Sequence, residues 1–289
     1  MATINTNLIV PEVYSALVRE KVKGKCKVAQ FLVNRGDLKG EVGEVINFEK
    51  WGYIGDARDW NPNTPMDVTQ MTQTKTQATI KAIQAPAVKV ADYDDEVALG
   101  NAIEEAAEQQ SIAVGRKYDT DAIACALTSP LKYQLATKNT VTQDEMIAML
   151  GLYGDDRDSQ DFDAIVVSSL FAKDFYKMDM FTSRERTMTK DGNGIAVNGV
   201  IGEFLGIPVV LSDRLYDSTN TEGFILVMKK NAISIIPKES PFAETSRDAG
   251  LRQTTIYLSQ FYAMALTDDT AIVVAKKVLP QQSGTSQGK

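Results

Sequence analysis

The chain is 289 residues long, 44% hydrophobic and 24% charged, with a formal net charge of -7 and no histidine. That length and apolar content suffice for one large domain or two modest ones without covalent staples. The missing imidazole removes the usual general base, the commonest metal ligand and every Ser-His-Asp or Cys-His nucleophile pair, while the acidic balance argues against tight nucleic-acid binding, in which Lys and Arg displace counterions from phosphates.

Residues 1 to 40 open with "MATINTNLIVPEVYS", which lacks the basic and apolar regions of a signal peptide. No run reaches the roughly 18 apolar residues of a membrane span, so a soluble intracellular product is expected. Cys26 and Cys125, the only cysteines, are too far apart for a disulfide framework or zinc spacing. "PEVYSALVREKV" places Pro11 at a natural helix start, with Val13, Leu17 and Val18 spaced for one helical face. The alternating Lys21, Lys23, Lys25 and Lys27 have no interleaved aromatics and read as a solvated segment rather than a phosphate-binding patch.

Two strand-like runs follow, "GEVINFEKWGYI" and "QTKTQATIKAIQ", joined by a polar loop containing "DWNPNTP". In the second, Thr74, Thr76, Ala78, Ile80 and Ala82 share one face and Lys75, Gln77, Thr79 and Lys81 the other. Such a two-stranded ribbon is barely stable alone and needs a partner surface. From Asp94 to Leu127 the spacing turns helical through Val97, Ala102, Ile103, Ala106, Ala107, Val114, Tyr118, Ala122 and Cys125, with Glu96, Glu104 and Glu105 early, where the helix dipole favours them. At 1.5 Å per residue that predicts a spine of roughly 50 Å, with Gly115 as a place where it could break.

Residues 130 to 235 predict an alternating α/β region. Thr142 to Glu145 is a capping box for the helix "EMIAMLGLY". "DAIVVS" reads as a buried strand and "SLFAKDFYKM" as the helix after it. "GFILVMKKNAISIIPKE" reads as a hairpin turning at Lys229, Lys230 and Asn231. "RQTTIYLSQFYAMALTDDTAIVVAKK" reads as a long strand, a turn at Asp268 and Asp269, and another strand. Residues 280 to 289 have a disordered composition.

The candidate sites all have plainer structural readings. "KDGNGIAVNGVIG" fits neither GxGxxG nor a P-loop and reads as turns. "GDDRDSQDFD" crowds Asp155, Asp156, Asp158, Asp161 and Asp163 together, with Asp156, Asp158 and Asp161 as weak metal candidates, but lacks the glycine and glutamate of an EF-hand loop. Ser168 and Ser169 follow a strand as a nucleophile would, yet read as helix caps. Ser212, Asp213 and Arg214 follow another strand and read as a loop at a contact surface.

The order of parts resembles the major capsid proteins of tailed bacteriophages: a polar arm, an extended hairpin, a spine helix, an α/β middle and long closing strands. The local matches are "GEFLGIPVVLSDRL", "FILVMKKNAISIIPKESPFAETSRDA" and "TTIYLSQFYAMAL", over about residues 5 to 278. The resemblance implies an α+β chain with the Hong Kong 97-like capsid fold. Its parts would be an N-terminal arm (1–42), an extended β-hairpin loop (43–90), a peripheral domain carrying the spine helix and long strands (91–129 and 239–279), an α/β axial domain (130–238) and a flexible tail (280–289).

The resemblance further implies a structural shell protein, not an enzyme, with no cofactor, catalytic residue or resident metal. Copies would form pentamers and hexamers that close into an icosahedral head around double-stranded DNA, bound without sequence specificity and without a membrane, alongside a portal protein. The short arm implies a separate scaffolding protein, and assembly is expected in the bacterial cytoplasm. Trp51, Trp60, Lys75, Lys81, Arg214 and Arg247 are the candidate inter-subunit contacts. No asparagine or glutamate is placed to join Lys75 or Lys81 covalently to a neighbour, so cross-linking is not expected. The alternatives are a cargo-enclosing nanocompartment of the same fold, a metal-dependent hydrolase using loop 155–163, and a decorating or tail protein.

Overall fold

Pro11 opens the first helix of the computed structural model, α1 (Pro11–Lys23), where a proline's missing N–H costs no intrahelical bond. The structure describes residues 11–36, 45–52, 54–57, 59, 68–97, 102–155, 158–183, 199–219, 221–238 and 241–277. After α1 come a 3-10 turn (Ala29–Phe31), β1 (Val33–Asn34), β2 (Val45–Trp51), β3 (Gln73–Thr79), β4 (Lys81–Ala91), α2 (Asp92–Val97) and α3 (Ala102–Ala126). The middle holds β5 (Lys132–Gln134), α4 (Gln143–Gly151), β6 (Phe162–Val167), α5 (Ser169–Phe175), β7 (Phe181–Ser183), β8 (Val200–Phe204), β9 (Ile207–Leu211), β10 (Tyr216–Asp217) and β11 (Glu222–Gly223). The chain closes with β12 (Ile225–Lys229), β13 (Ile233–Pro237), β14 (Phe242–Asp248), β15 (Gln253–Leu266) and β16 (Ile272–Lys276).

Two sheets organise these elements. One has seven strands in the order β5-β16-β12-β6-β9-β8-β7. Its central strands bury both faces, which is why they read as unbroken apolar runs. Ile165, Val167, Ile225, Val227, Val273 and Ala275 pack with Met146 and Met149 of α4 and Phe171 and Phe175 of α5. Ala164, Val166, Leu226, Met228, Ile272 and Val274 point the other way, into the larger core. The second sheet orders β1-β13-β15-β14, with β4 along the other flank of β15. Ile256, Leu258 and Tyr262 of β15 join Tyr14 and Val18 of α1 and Ala107, Val114 and Ala122 of α3 in that same core.

The capping box of α4 and the two closing strands stand as the sequence predicts. The β2–β3 ribbon forms too, but its second strand ends at Thr79 instead of continuing through Gln84, and β4 pairs with β15. Thr142 accepts from the Glu145 amide while the Glu145 carboxylate takes the Thr142 N–H. Burial alone would raise the Glu145 pKa, but N–H donors from Ala136 and Thr142 outweigh it, and the carboxyl sits below its usual range.

Over the described residues the spine comprises α2 and the 25-residue α3. The latter is about 37 Å long and runs unbroken through Gly115. That glycine serves packing: a Cβ there would lie 3.3 Å from Lys25 Cβ and 3.5 Å from Cys26 Sγ.

The predicted hairpin of 223–239 is corrected. β12 and β13 are both strands, but β12 pairs with β6 and β16, and β13 pairs with β1 and β15, in different sheets. Asn231 turns the chain between them at φ 60°, and the Ala232 carbonyl accepts from the Thr267 N–H at 2.9 Å. β15 and β16 likewise part company across the Asp268–Asp269 turn, so the chain crosses between the sheets twice at neighbouring points. As a result β13, placed by sequence with 130–238, lies beside β15, and β16, placed with 239–279, lies in the seven-stranded sheet.

Candidate functional site

The acidic loop holds its own turn. The Asp158 carboxylate accepts from the Gln160 N–H at 3.2 Å, and Asp161 takes the Asp158 N–H, which together cap the 3-10 turn Ser159–Asp161. Asp156 lies outside the described residues, and among the described residues no three acidic or cysteine side chains group as metal ligands do. Ser168 occupies the N-cap position of α5, but its side chain makes no capping bond. It is instead wedged against Gly223, where a Cβ would meet Ser168 Cβ at 2.9 Å and Phe171 Cε2 at 2.8 Å. Ser212 Oγ accepts from the Arg214 N–H at 3.3 Å, and Arg214 Nε lies 3.9 Å from Asp213. These are loop contacts with no nucleophile and base brought together. The glycine segment 190–198 and the tail 280–289 lie outside the described residues.

Convergence occurs along α3, through three polar side chains buried on its apolar stripe. Gln110 accepts from Tyr14 Oη at 2.8 Å and donates to the carbonyls of Pro86, 2.9 Å, and Ile256, 3.3 Å. Asp119 accepts from the N–H groups of Lys27, Val28 and Ala29 at 2.8 to 3.2 Å. Asp121 accepts from Tyr262 Oη at 2.6 Å and lies 3.1 Å from Lys117 Nζ and 3.5 Å from Lys81 Nζ. Sequence reasoning missed all three, although each is polar within a stretch whose period is apolar. Lys21 and Lys25 pair with Glu104 and Glu108 of α3, so these two lysines fasten α1 and the turn after it to the spine.

The hairpin is clamped at both strands. Ile46, Phe48 and Lys50 face inward on β2, while Val45, Asn47, Glu49 and Trp51 face out. Phe48 and Ala78 bury against Ala263 and Ala265 of β15. Lys50 Nζ reaches Asp268 and Asp269, 2.7 Å each. Burial would lower the Lys50 pKa, but the bonds to both aspartates raise it overall. Lys81, at the start of β4, reaches Asp121 on the spine.

Of the contact candidates, Trp51 is 55% exposed, Lys75 lies exposed opposite Glu49, and Trp60 is outside the described residues. Arg247 grips Asp92 with both terminal nitrogens at 2.5 Å, tying β14 to the start of α2. Among the bare large apolar side chains are Trp51, Ile54, Val68 and Met71 beyond the hairpin's pad, Tyr93, Val97 and Leu251 near α2 and the β14–β15 turn, and Phe242, Tyr257 and Phe261 on β14 and β15. Contiguous bare apolar area on a protein surface is typical of contacts between chains.

Asp121 carries a pH prediction. Burial pushes its pKa up, but the Tyr262 and Lys117 bonds and the Lys81 charge outweigh burial and leave it lowered. A carboxyl depressed in the folded state contributes stability above its unfolded value near 3.9, and loses it as pH falls through the folded value. Asp121→Asn keeps an acceptor for Tyr262 and removes the charge, with an expected cost of about 1 kcal/mol at pH 7. Urea midpoints should show the gap from the unmodified chain closing below about pH 4. A gap independent of pH would reject the charge as its cause.

No family model matches the chain. A curated relative, the major capsid protein of Staphylococcus phage phiMR11, is 27% identical over 282 residues, covering 95% of this chain and 96% of its own. Among solved structures, the capsid of cyanophage P-SCSP1u matches with a TM-score of 0.59 at 14% identity, over 96% of this chain and 92% of that one. A virus-like particle from Pyrococcus furiosus matches with a TM-score of 0.58 at 9% identity, over 92% and 98%. The fold is therefore the mixed α and β capsid fold that the order of parts implies.

Proposed function

We propose that this chain is the structural major capsid protein of a tailed double-stranded DNA phage, building the head shell from many copies of itself. The observation that carries the reading is the curated relative, a phage major capsid protein that aligns end to end with this chain. The capsid fold agrees with it. So do the buried anchors of α3, which fix the elements to one another and gather no reactive groups. The role is structural, not enzymatic.

The finer reading extends this. Copies form pentamers and hexamers, assemble in the host cytoplasm on a separate scaffolding protein, include a portal, and close around DNA that an acidic chain leaves ungripped. The seven-stranded sheet with α4 and α5 is the axial domain. The five-stranded sheet with α1 and α3 is the peripheral domain, and β2–β3 is the extended loop. On this division β16 belongs with the axial strands and β13 with the peripheral ones. The bare apolar areas named above are where copies meet, as head-to-tail contacts on a closing ring require two different patches on each chain.

Electron microscopy and sedimentation of the recombinant protein, alone and coexpressed with its scaffold, test the reading. Uniform closed particles tens of nanometres across are expected. A monomer or small oligomer in both preparations would overturn it.

A further inference from the structure

A two-stranded ribbon is barely stable in water by itself, so β2–β3 depends on how it is seated. The seat is small. Phe48 and Ala78, flanked by Ile46 and Ile80, rest on Ala263 and Ala265 of β15 beside Ile236 of β13. Further along β3, all residues from Gln73 to Gln77 are exposed. At the edge of the seat, Lys50 is the next inward residue of β2, and its ammonium bridges Asp268 and Asp269 at 2.7 Å each. Those aspartates occupy the turn where the chain passes from the five-stranded sheet to the seven-stranded one. Across the ribbon, Ile80 alone separates β3 from β4, and Lys81 directly after it is held by Asp121. The ribbon thus has a root at Lys81 held by the pairing of β4 with β15, a one-residue break in its strand, and, among the described residues, the Lys50 ion pairs beyond the apolar pad.

We propose that Lys50, Asp268 and Asp269 form a latch that holds the hairpin on its own subunit before assembly, and that releasing it lets the hairpin pivot at Ile80 onto a second copy of the chain. The latch itself rests on geometry, and its release onto a second copy rests on the shell function proposed above. Partly exposed ion pairs are weak and salt-sensitive, which suits a contact that must be exchanged. The side chains the hairpin would carry to the second copy are Trp51, Ile54, Val68 and Met71, which its own chain leaves bare.

Hydrogen exchange on the unassembled full-length protein tests the latch at the amides of Val45–Trp51 and Gln73–Thr79. Lys50→Met should speed their exchange about five-fold while leaving the amides of β6 and β12 unchanged. Asp269→Asn should do so less, and the double variant should exchange no faster than Lys50→Met alone, because both changes remove one contact. Asp268 is spared because it also accepts from the Thr270 N–H and hydroxyl. Unaltered hairpin exchange in Lys50→Met would overturn the latch. Assembly with scaffold reads the release: Lys50→Met should form shells at least as fast as the unmodified chain. Slower assembly of the variant, while the unmodified chain assembles, would overturn the release. If the unmodified chain forms no shells, the shell function falls and the exchange result stands independently.

Discussion

Replacing Asp119 by alanine is expected to destabilise the protein by about 3 kcal/mol, because one carboxylate answers three backbone N–H groups at once. Lys27, Val28 and Ala29 all aim their amides at it across the gap between α1 and β1. The residue is 4% exposed, so water cannot replace it without entering the core. The amides of Val28 and Ala29 open the 3-10 turn Ala29–Phe31, whose other end leads into β1, so the loss loosens the whole path from helix to sheet. Urea denaturation should show a lower midpoint with an unchanged slope, and hydrogen exchange should place the new opening at residues 27–34. Asp119→Asn keeps one acceptor oxygen and should lose about half as much. A midpoint in the alanine variant within about 0.5 kcal/mol of the unmodified chain would mean that these amides are satisfied some other way.

The parts of the fold that were legible in the sequence are those decided locally. Thr142 and Glu145 announce their helix because both halves of the box lie within one turn. The β2–β3 ribbon is legible because period-two alternation survives in Phe48 and Ala78. The run 223–239 reads as a hairpin because a short turn between two apolar strands satisfies every local rule for one, while sheet membership is decided by which distant strand each half meets. Asn231 in a left-handed conformation fits a hairpin turn as well as a crossing between sheets. The acidic loop is ambiguous in a different way. Aspartates close in sequence suggest a shared ligand, whereas Asp158 and Asp161 spend their oxygens on the backbone of their own turn.

The apolar period of α3 masks its polar anchors. Gln110, three after Ala107 and four before Val114, sits where the period calls for an apolar side chain, and so marks a polar demand on the opposite surface. Sequence alone does not say what makes the demand. Pro86, far away in β4, lacks an N–H, and the pairing of β4 with β15 slips between Ile256 and Leu258, so the carbonyls of Pro86 and Ile256 turn to the helix.

Gln110→Leu follows from that arrangement, with an expected loss of about 3 to 4 kcal/mol. Leucine nearly fills the volume, so the loss is one of unmet hydrogen bonds more than of a cavity. Three groups lose their partner together: the Tyr14 hydroxyl its acceptor, and the Pro86 and Ile256 carbonyls their donor. Burial already pushes the Tyr14 pKa up to about 12, a sign of how little water reaches that hydroxyl. Adding Tyr14→Phe separates the contributions. If an orphaned hydroxyl carries part of the penalty, the double variant should recover about 1 kcal/mol relative to Gln110→Leu, while Tyr14→Phe alone destabilises. Strict additivity of the two changes in urea midpoints would show that Gln110 and Tyr14 do not act as one unit. The remaining deficit belongs to the two carbonyls, and it should appear as faster exchange where β4 meets β15 around the slipped register. That location matters for the shell, because β4 continues directly from the hairpin through Ile80, and a loosened β4 would leave the hairpin's fixed root without its support.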